Sequence, residues 1–493
     1  MSSQLTVFGA LFLPLTVILA LRRGAVLLTL IPVAAVMQSM AVATFMAGEA
    51  KFGLAATNVV FAAIGLRLLT TVVLRRQLYF GEGAARVVLI LWVVFAAVSS
   101  VGAVLLPHIF TGLPVHLLLT NIDVTYPLEP LRWTISNFAQ SINSIGCGLV
   151  LVFAVHESRD QQDDAASSLF VGFGIALGLT FILGLYHRLM LNGFVPDATA
   201  FLANNISYIQ SFNSESWAPY TRASLPFIEP SYASAWFAAV FAGGLVGATW
   251  AGYGTSWSWV CAIGLAGLAN SAGFSGIAAA VIFTLIFVAA YVIVLLRQLC
   301  VGGFQRKDVL SLLVVALCVG MMTYAAHLAQ REVKWIEANV GIKLAELAMQ
   351  GDTLGHRGKS NLTALSIATA TYGLGAGAGS NRSSSYLFSL LSNTGVLGVI
   401  LFLSALGLQC LLVVRNCFNQ IGETRSLTGS YLGAFACLLV AVVGAIPDQN
   451  WPVLWAFITL GLLLALPPTN RTSLSECDTA MLEQALPDSS PTI

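Results

Sequence analysis

Apolar stretches about as long as a bilayer is thick recur from one end of this 493-residue chain to the other. A helix crossing a membrane needs roughly 20 predominantly apolar residues. Candidate spans fall at 5–21, 24–47, 53–74, 87–109, 133–156 and 167–190, then at 232–251, 256–272, 274–296 and 309–327, and last at 385–411, 429–447 and 452–467. Only 9% of residues are charged and 57% are hydrophobic, whereas soluble domains carry about 25% charge. The pattern predicts an all-α polytopic membrane protein of about 12–13 transmembrane helices.

The charges that remain are placed rather than scattered. Arg22 and Arg23, Arg75 and Arg76, Arg159, the 297–307 loop, Arg415 with Arg425, and Arg471 all flank apolar runs. Read by the positive-inside rule, these ends are cytoplasmic. The first apolar run lacks a basic n-region and ends in Arg22-Arg23, so it reads as a span and not as a cleaved signal. Eight cysteines fall in spans or on the cytoplasmic side, which argues against a disulfide framework. No spacing of His, Cys, Asp or Glu points to a metal, and no cofactor motif is present.

The connections are unequal. Two extracytoplasmic stretches, 192–230 and 328–384, are long, and a shorter one covers 110–132. Long loops on a membrane scaffold carry function, since short turns suffice to connect helices. Four regions follow: N-terminal transmembrane helices at 1–191, a core with both long loops at 192–410, C-terminal transmembrane helices at 411–467, and a polar cytoplasmic tail at 468–493. Within the longer loop, 331–349 has helical periodicity with one charged face, and 361–371 reads as a second short helix.

The most distinctive stretch follows that second helix: Tyr372-Gly-Leu-Gly-Ala-Gly-Ala-Gly-Ser-Asn-Arg-Ser-Ser-Ser385. Gly375, Gly377 and Gly379 permit close backbone approach. Ser383 and Ser384 precede a helix start, where free N–H groups and the helix dipole favour an anion. Arg382 adds a forked cation; its alternative reading is a charge snorkelling at a helix end. His356, Arg357 and Lys359 suit a polyanion, or form a solvated basic turn. Arg222 precedes Glu229-Pro230-Ser231, where Glu229 reads either as a helix-capping carboxylate or as the acceptor of a proton from a hydroxyl nucleophile. The run 270–276 is rich in small residues that favour close helix packing. Arg67, inside an apolar run, lies near an interface or faces a polar cavity.

The order of these pieces resembles the family of O-antigen polymerases and O-antigen ligases, exopolysaccharide repeat-unit polymerases included. The matching stretches are Arg222-Ala-Ser-Leu-Pro-Phe-Ile-Glu-Pro-Ser-Tyr-Ala233, Ser271-Ala-Gly-Phe-Ser-Gly276, the loop carrying Arg357, the glycines from Gly373 to Gly379, and Gly395-Val-Leu-Gly398. They span about 200 residues, roughly 220–405. Ligases of that family carry a histidine near the glycine segment, where this chain has Asn381-Arg-Ser-Ser-Ser385, which favours polymerase over ligase.

The resemblance implies a GT-C-like fold and an inverting, metal-independent glycosyltransferase in a bacterial inner membrane, its site facing the periplasm. Donor and acceptor would be glycans on undecaprenyl diphosphate, and a chain-length regulator membrane protein would be a partner. Nucleic acid plays no part. Arg222, Arg357 and Arg382 would clamp the diphosphate, Glu229 would act as base, and Ser231, His356, Lys359, Gly375, Gly377, Gly379, Ser383 and Ser384 would shape the substrate site. The alternatives are a ligase that delivers the glycan to a lipid A core and, in a different class, a transporter of lipid-linked glycans. Charges gathered in external loops and the lack of an internal repeat weigh against transport.

Overall fold

A computed structural model describes residues 2–22, 24–47, 50–75, 77–116, 128–159, 162–205, 223–250, 255–271, 273–301, 320, 353–420, 422–445 and 448–467. The chain is mostly helical. The helices are α1 (Val7–Leu21), α2 (Gly24–Leu27), α3 (Leu30–Val36), α4 (Ala56–Arg75), α5 (Gly83–Ile109), α6 (Ile135–Glu157), α7 (Gln162–Leu191) and α8 (Thr199–Leu202). They continue with α9 (Pro230–Trp250), α10 (Thr255–Ser271), α11 (Phe274–Val301), α12 (Thr353–Ala370), α13 (Tyr386–Asn419), α14 (Gly422–Ala445) and α15 (Pro452–Ala465). Among the described residues, eight helices are long and apolar enough to cross a membrane, and three shorter apolar segments accompany them. This is the architecture of a polytopic helical membrane protein.

One expected span is corrected. The apolar run 24–47 does not cross as a helix. It breaks after α3, turns at 37–40, and continues as β2 (Ala41–Ala47), which pairs with β1 (Ser2–Leu5) and β3 (Ala50–Ala55) in an antiparallel sheet. The break has tertiary causes: Ser39 N donates to Pro226 O at 2.9 Å, and Ser39 Oγ donates to Leu202 O at 2.7 Å. Thr6 then starts α1. Its Oγ1 accepts from Gly9 N at 2.9 Å and donates to Ala41 O at 2.6 Å, so the first helix begins at Val7. The spans at 256–272 and 452–467 are helices, as expected, and they are short. The span at 309–327, the helix at 331–349 and the tail at 468–493 lie outside the described residues, Gly320 apart.

Small residues set the tightest contact. A Cβ on Gly264 of α10 would strike the backbone of Phe241 on α9, and one on Gly244 would strike Cys261. The two helices are thereby in backbone contact, the arrangement that small residues allow in membranes. The middle of the bundle is aromatic. Trp92 meets Phe402 at 5.2 Å and Trp455 at 5.4 Å between ring centres, which locks α5, α13 and α15 together.

Chain order and contacts give the bundle two distinct ends. At one, Arg159 lies over Tyr79 at 6.0 Å and Arg425 over Trp250 at 5.7 Å. Arg67 is not aimed into a cavity; its guanidinium donates to Ala20 O at 3.2 Å and caps the last turn of α1. The other end carries the sheet, the start of α9, the glycine segment and the 448–451 loop.

Candidate functional site

The glycine segment is built on a kink. Within α13, Gly395 adopts φ 71°, ψ −173°, which interrupts the helical hydrogen bonds around it. The freed groups pair with the segment that lies alongside. Ala376 N donates to Ser392 O at 2.7 Å, Gly377 N to Asn393 O at 3.0 Å, and Val396 N to Gly373 O at 2.8 Å. Gly373, Gly375, Gly377 and Gly379 all have positive φ. A Cβ at Gly375 would stand 2.7 Å from Gly395 N, one at Gly377 2.7 Å from Gly102 O of α5, and one at Gly379 2.9 Å from Ser136 O of α6.

The glycines therefore let the chain thread between three helices. The N–H of Gly375 donates to Thr371 Oγ1 at 2.9 Å, so the donors of Gly375 and Gly377 are both engaged inside the protein. Sequence suggests an anion-cradling loop; in the structure the ladder packs against helices, and what it presents is the residue at its end.

That residue is Arg382. Its backbone N donates to His116 O at 2.9 Å, while His116 N donates to Asn381 Oδ1 at 3.0 Å. Asn381 is zipped to Asn393 in both directions, at 3.1 and 2.8 Å. Held this way, the guanidinium reaches Glu229 Oε1 at 3.4 Å, and the pair is about one-quarter exposed (27% and 23%). Ser231 Oγ donates to Glu229 Oε2 at 3.1 Å. Glu229 stands just before Pro230, the first residue of α9, and its carbonyl accepts from Tyr232 and Ala233. The backbone of Glu229 caps the helix, and its side chain faces the arginine.

A third charged group was passed over in the sequence. Asp448 lies in the turn between α14 and α15, half-buried. Burial raises its pKa above the usual carboxylate range, against the opposing pull of hydrogen bonds from Asn450 N (3.0 Å) and the Gln140 side chain and of the Arg382 charge. Asn450 Nδ2 in turn donates to Gln140 Oε1 at 2.6 Å. The turn is tied to the glycine segment, since Ser385 Oγ donates to Val443 O at 2.8 Å and Tyr386 OH to Gln449 O at 3.3 Å. The available signal was Asp448-Gln449-Asn450, three polar residues between two apolar runs, with Gln140 inside another run.

The other expected site residues are distributed unevenly. Ser383 is buried and donates to Ser385 O at 2.8 Å; Ser384 N donates to Asn361 Oδ1 at 3.2 Å. Both brace the start of α13. His356 and Arg357 belong to the first turn of α12, a helix where a basic turn was expected, and Lys359 is exposed on it. Arg222 lies outside the described residues. The segment that follows it is held by residues that sequence reading missed: His187 Nδ1 accepts from Ser224 N at 3.0 Å and Leu225 N at 3.2 Å. Arg188 Nε donates to Asn270 Oδ1 at 2.8 Å. The small residues near Asn270 pack as expected, because a Cβ on Gly273 or Gly276 would strike Ser234 in the first turns of α9.

These features define a helical membrane protein with a group of charges, the Arg382–Glu229 pair and Asp448 within the field of Arg382, at one end of its bundle. Compared with protein-family models and with curated proteins, the chain matches none.

Proposed function

We propose that this protein polymerises oligosaccharide repeat units carried on a polyprenyl diphosphate, by glycosyl transfer at the membrane face opposite the arginine-rich ends. One observation carries the reading: Arg382 and Glu229, 153 residues apart in sequence, meet at 3.4 Å. Glu229 belongs to one of the motifs that resemble those of repeat-unit polymerases, and Arg382 stands three residues after another, the glycines from Gly373 to Gly379.

The chemistry follows from the charges. A glycosyl diphosphate leaves as an anion, so it needs fixed positive charge rather than a proton donor. Arg382 supplies a planar fork that matches phosphate oxygens two at a time. Glu229 keeps that fork oriented while the site is empty, and the diphosphate takes its place on arrival. Arg222 and Arg357, from the preceding loop and from α12, are the further candidates for the same anion. A lipid-borne substrate accounts for a charged cluster built at the end of a membrane bundle. Arg159 and Arg425 at the other end suit a cytoplasmic side by the positive-inside rule, which supports reading the site as facing outward.

The test is reconstitution. Purified protein in lipid nanodiscs, supplied with a synthetic polyprenyl-diphosphate-linked repeat unit, is expected to yield a ladder of products on a gel. Arg382→Lys is expected to slow ladder growth by about 100-fold, since a point charge cannot replace the fork. A lone band of unextended repeat unit with the wild-type protein would sink the proposal.

A further inference from the structure

We propose that Asp448, in the turn between α14 and α15, is the group that takes the proton from the incoming sugar hydroxyl, in place of Glu229. The inference rests on the polymerase reading above and assigns a catalytic residue to the same site.

Three observations carry it. The first is how the two carboxylates are held. Glu229 is in direct ion pair with Arg382, and its other oxygen accepts from Ser231. In the empty site its charge is committed to Arg382, and the arriving diphosphate sets a like charge beside it. Asp448 is held by neutral donors, the backbone N of Asn450 at 3.0 Å and the side-chain amide of Gln140. Neutral donors fix a carboxylate in place without cancelling its charge, which suits a base. Arg382 nevertheless acts electrostatically on Asp448, so both carboxylates belong to one cluster.

The second is the rigidity of the turn. Trp451 N donates to Asp448 O at 3.1 Å, Asn450 Nδ2 donates to Gln140 Oε1 and Ser144 Oγ, and Trp451 packs edge-on against Tyr232 at 5.4 Å. Tyr232 is three residues from Glu229, so the turn and the start of α9 form one wall.

The third is an unmet demand in the same turn. Gln449 Oε1, an acceptor, and Trp451 Nε1, a donor, are buried without a hydrogen-bond partner. Their residues are 3% and 1% exposed. Buried polar groups are nearly always paired, and a hydroxyl, which both donates and accepts, is the smallest group able to satisfy either.

The step balances without a co-reactant. The acceptor hydroxyl oxygen bonds to the anomeric carbon as the bond from that carbon to the diphosphate oxygen breaks. The diphosphate departs with the electron pair, held by Arg382. The hydroxyl proton passes to the Asp448 carboxylate and then to water. Burial raises the Asp448 pKa, which makes its carboxylate a stronger base than an ordinary surface carboxylate. Among the described residues, the titratable groups that share its field are Arg382 and Tyr386 from the glycine segment and α13, and Cys147 from α6.

The experiment uses the full-length protein in nanodiscs with the synthetic lipid-linked repeat unit. The wild-type ladder reports the polymerase reading; if it is missing, that reading fails and this one with it. Given a wild-type ladder, Asp448→Asn is expected to slow extension about 100-fold or more, with donor binding unchanged within about twofold. Glu229→Gln is expected to weaken donor binding and to slow extension less. Added formate is expected to restore extension to Asp448→Ala and not to Glu229→Ala. Extension by Asp448→Asn at the wild-type rate, or formate rescue of Glu229→Ala alone, overturns the assignment. If neither Asp448 variant folds, the wild-type pH profile decides. The rate is expected to fall along a single titration above the usual carboxylate pKa of about 4 as pH drops, and a flat profile overturns the assignment.

Discussion

The middle of the bundle and its charged end are built from the same helices and obey different rules. At the middle, Trp92 Nε1 donates to Gln409 Oε1 at 2.8 Å, and Gln409 Nε2 donates to Ile458 O at 3.0 Å. Both polar atoms of the Gln409 amide are engaged there and aromatic rings pack around it, with the neighbouring Tyr431 hydroxyl buried and unpaired. At the end, Gln449 Nε2 donates to Ser99 Oγ at 3.0 Å, yet Gln449 Oε1 and Trp451 Nε1 have no partner. Each buried unpaired group costs about 1–3 kcal/mol. The middle is arranged for stability. The end gives some stability up, which is the usual mark of a site whose partner arrives from outside.

The most direct way to break this comparison is to close the kink. Gly395 has positive φ, and a Cβ there would strike Gly373 O and Leu374. Gly395→Val is expected to cost about 4 kcal/mol, the upper range for a single substitution, because strain and a backbone clash add. The check is thermal unfolding of purified protein, with loss of folded yield as the extreme outcome. A variant as stable as the wild type would mean that the glycine segment does not need the kink.

A matched pair of substitutions sharpens the contrast at smaller cost. Gln409→Leu strands the Trp92 indole and is expected to destabilise by about 2 kcal/mol. Gln449→Leu removes a group that is already half-unpaired and is expected to cost less than about 1 kcal/mol. Unfolding measured side by side decides, and equal losses would erase the distinction between middle and end.

What the sequence made legible follows from which forces are local. Apolar length is a local property, so the long helices could be read directly, as could Pro230 at the start of α9. The sheet at 41–55 was not legible. Val42, Thr44 and Phe45 extend an apolar run, and tertiary contacts, those of Ser39 with Pro226 and Leu202 among them, decide that the run bends. The site was legible in part. Arg382 and Glu229 stood out as charges beside helix starts, but their meeting is tertiary. The glycines were visible while their use was not, because the helix backbones that they pack against lie in distant stretches. Asp448 was passed over because a three-residue polar turn between two spans looks like any connection until Gln140 and Arg382 are seen beside it.

A further test reverses the sign of the others. Burial raises the pKa of Asp448 in the folded protein above its unfolded value, so the folded state binds that proton more tightly. This contribution to stability is fully present below the unfolded pKa and is lost as pH rises through the folded pKa. Asp448→Asn does not titrate. Its melting temperature relative to the wild type is therefore expected to shift in favour of the variant as pH rises above about 4, the usual carboxylate value. Melting curves across that range check it. A difference independent of pH would mean that Asp448 is solvated like a surface carboxylate.

The smallest expected effect on stability belongs to the Arg382–Glu229 pair. With both side chains about one-quarter exposed and 3.4 Å apart, water still screens the attraction. A double-mutant cycle on unfolding, using Arg382→Gln and Glu229→Gln, is expected to give a coupling of about 0.5 kcal/mol, near that of a surface ion pair. The backbone of Arg382 is held through His116 and Asn381 whether or not the charge is present, so the segment stays folded without it. A coupling of several kcal/mol would assign the pair to the architecture. A weak one leaves the arginine free to exchange its carboxylate for a phosphate, because an ion pair that contributed much to stability would resist giving up its partner.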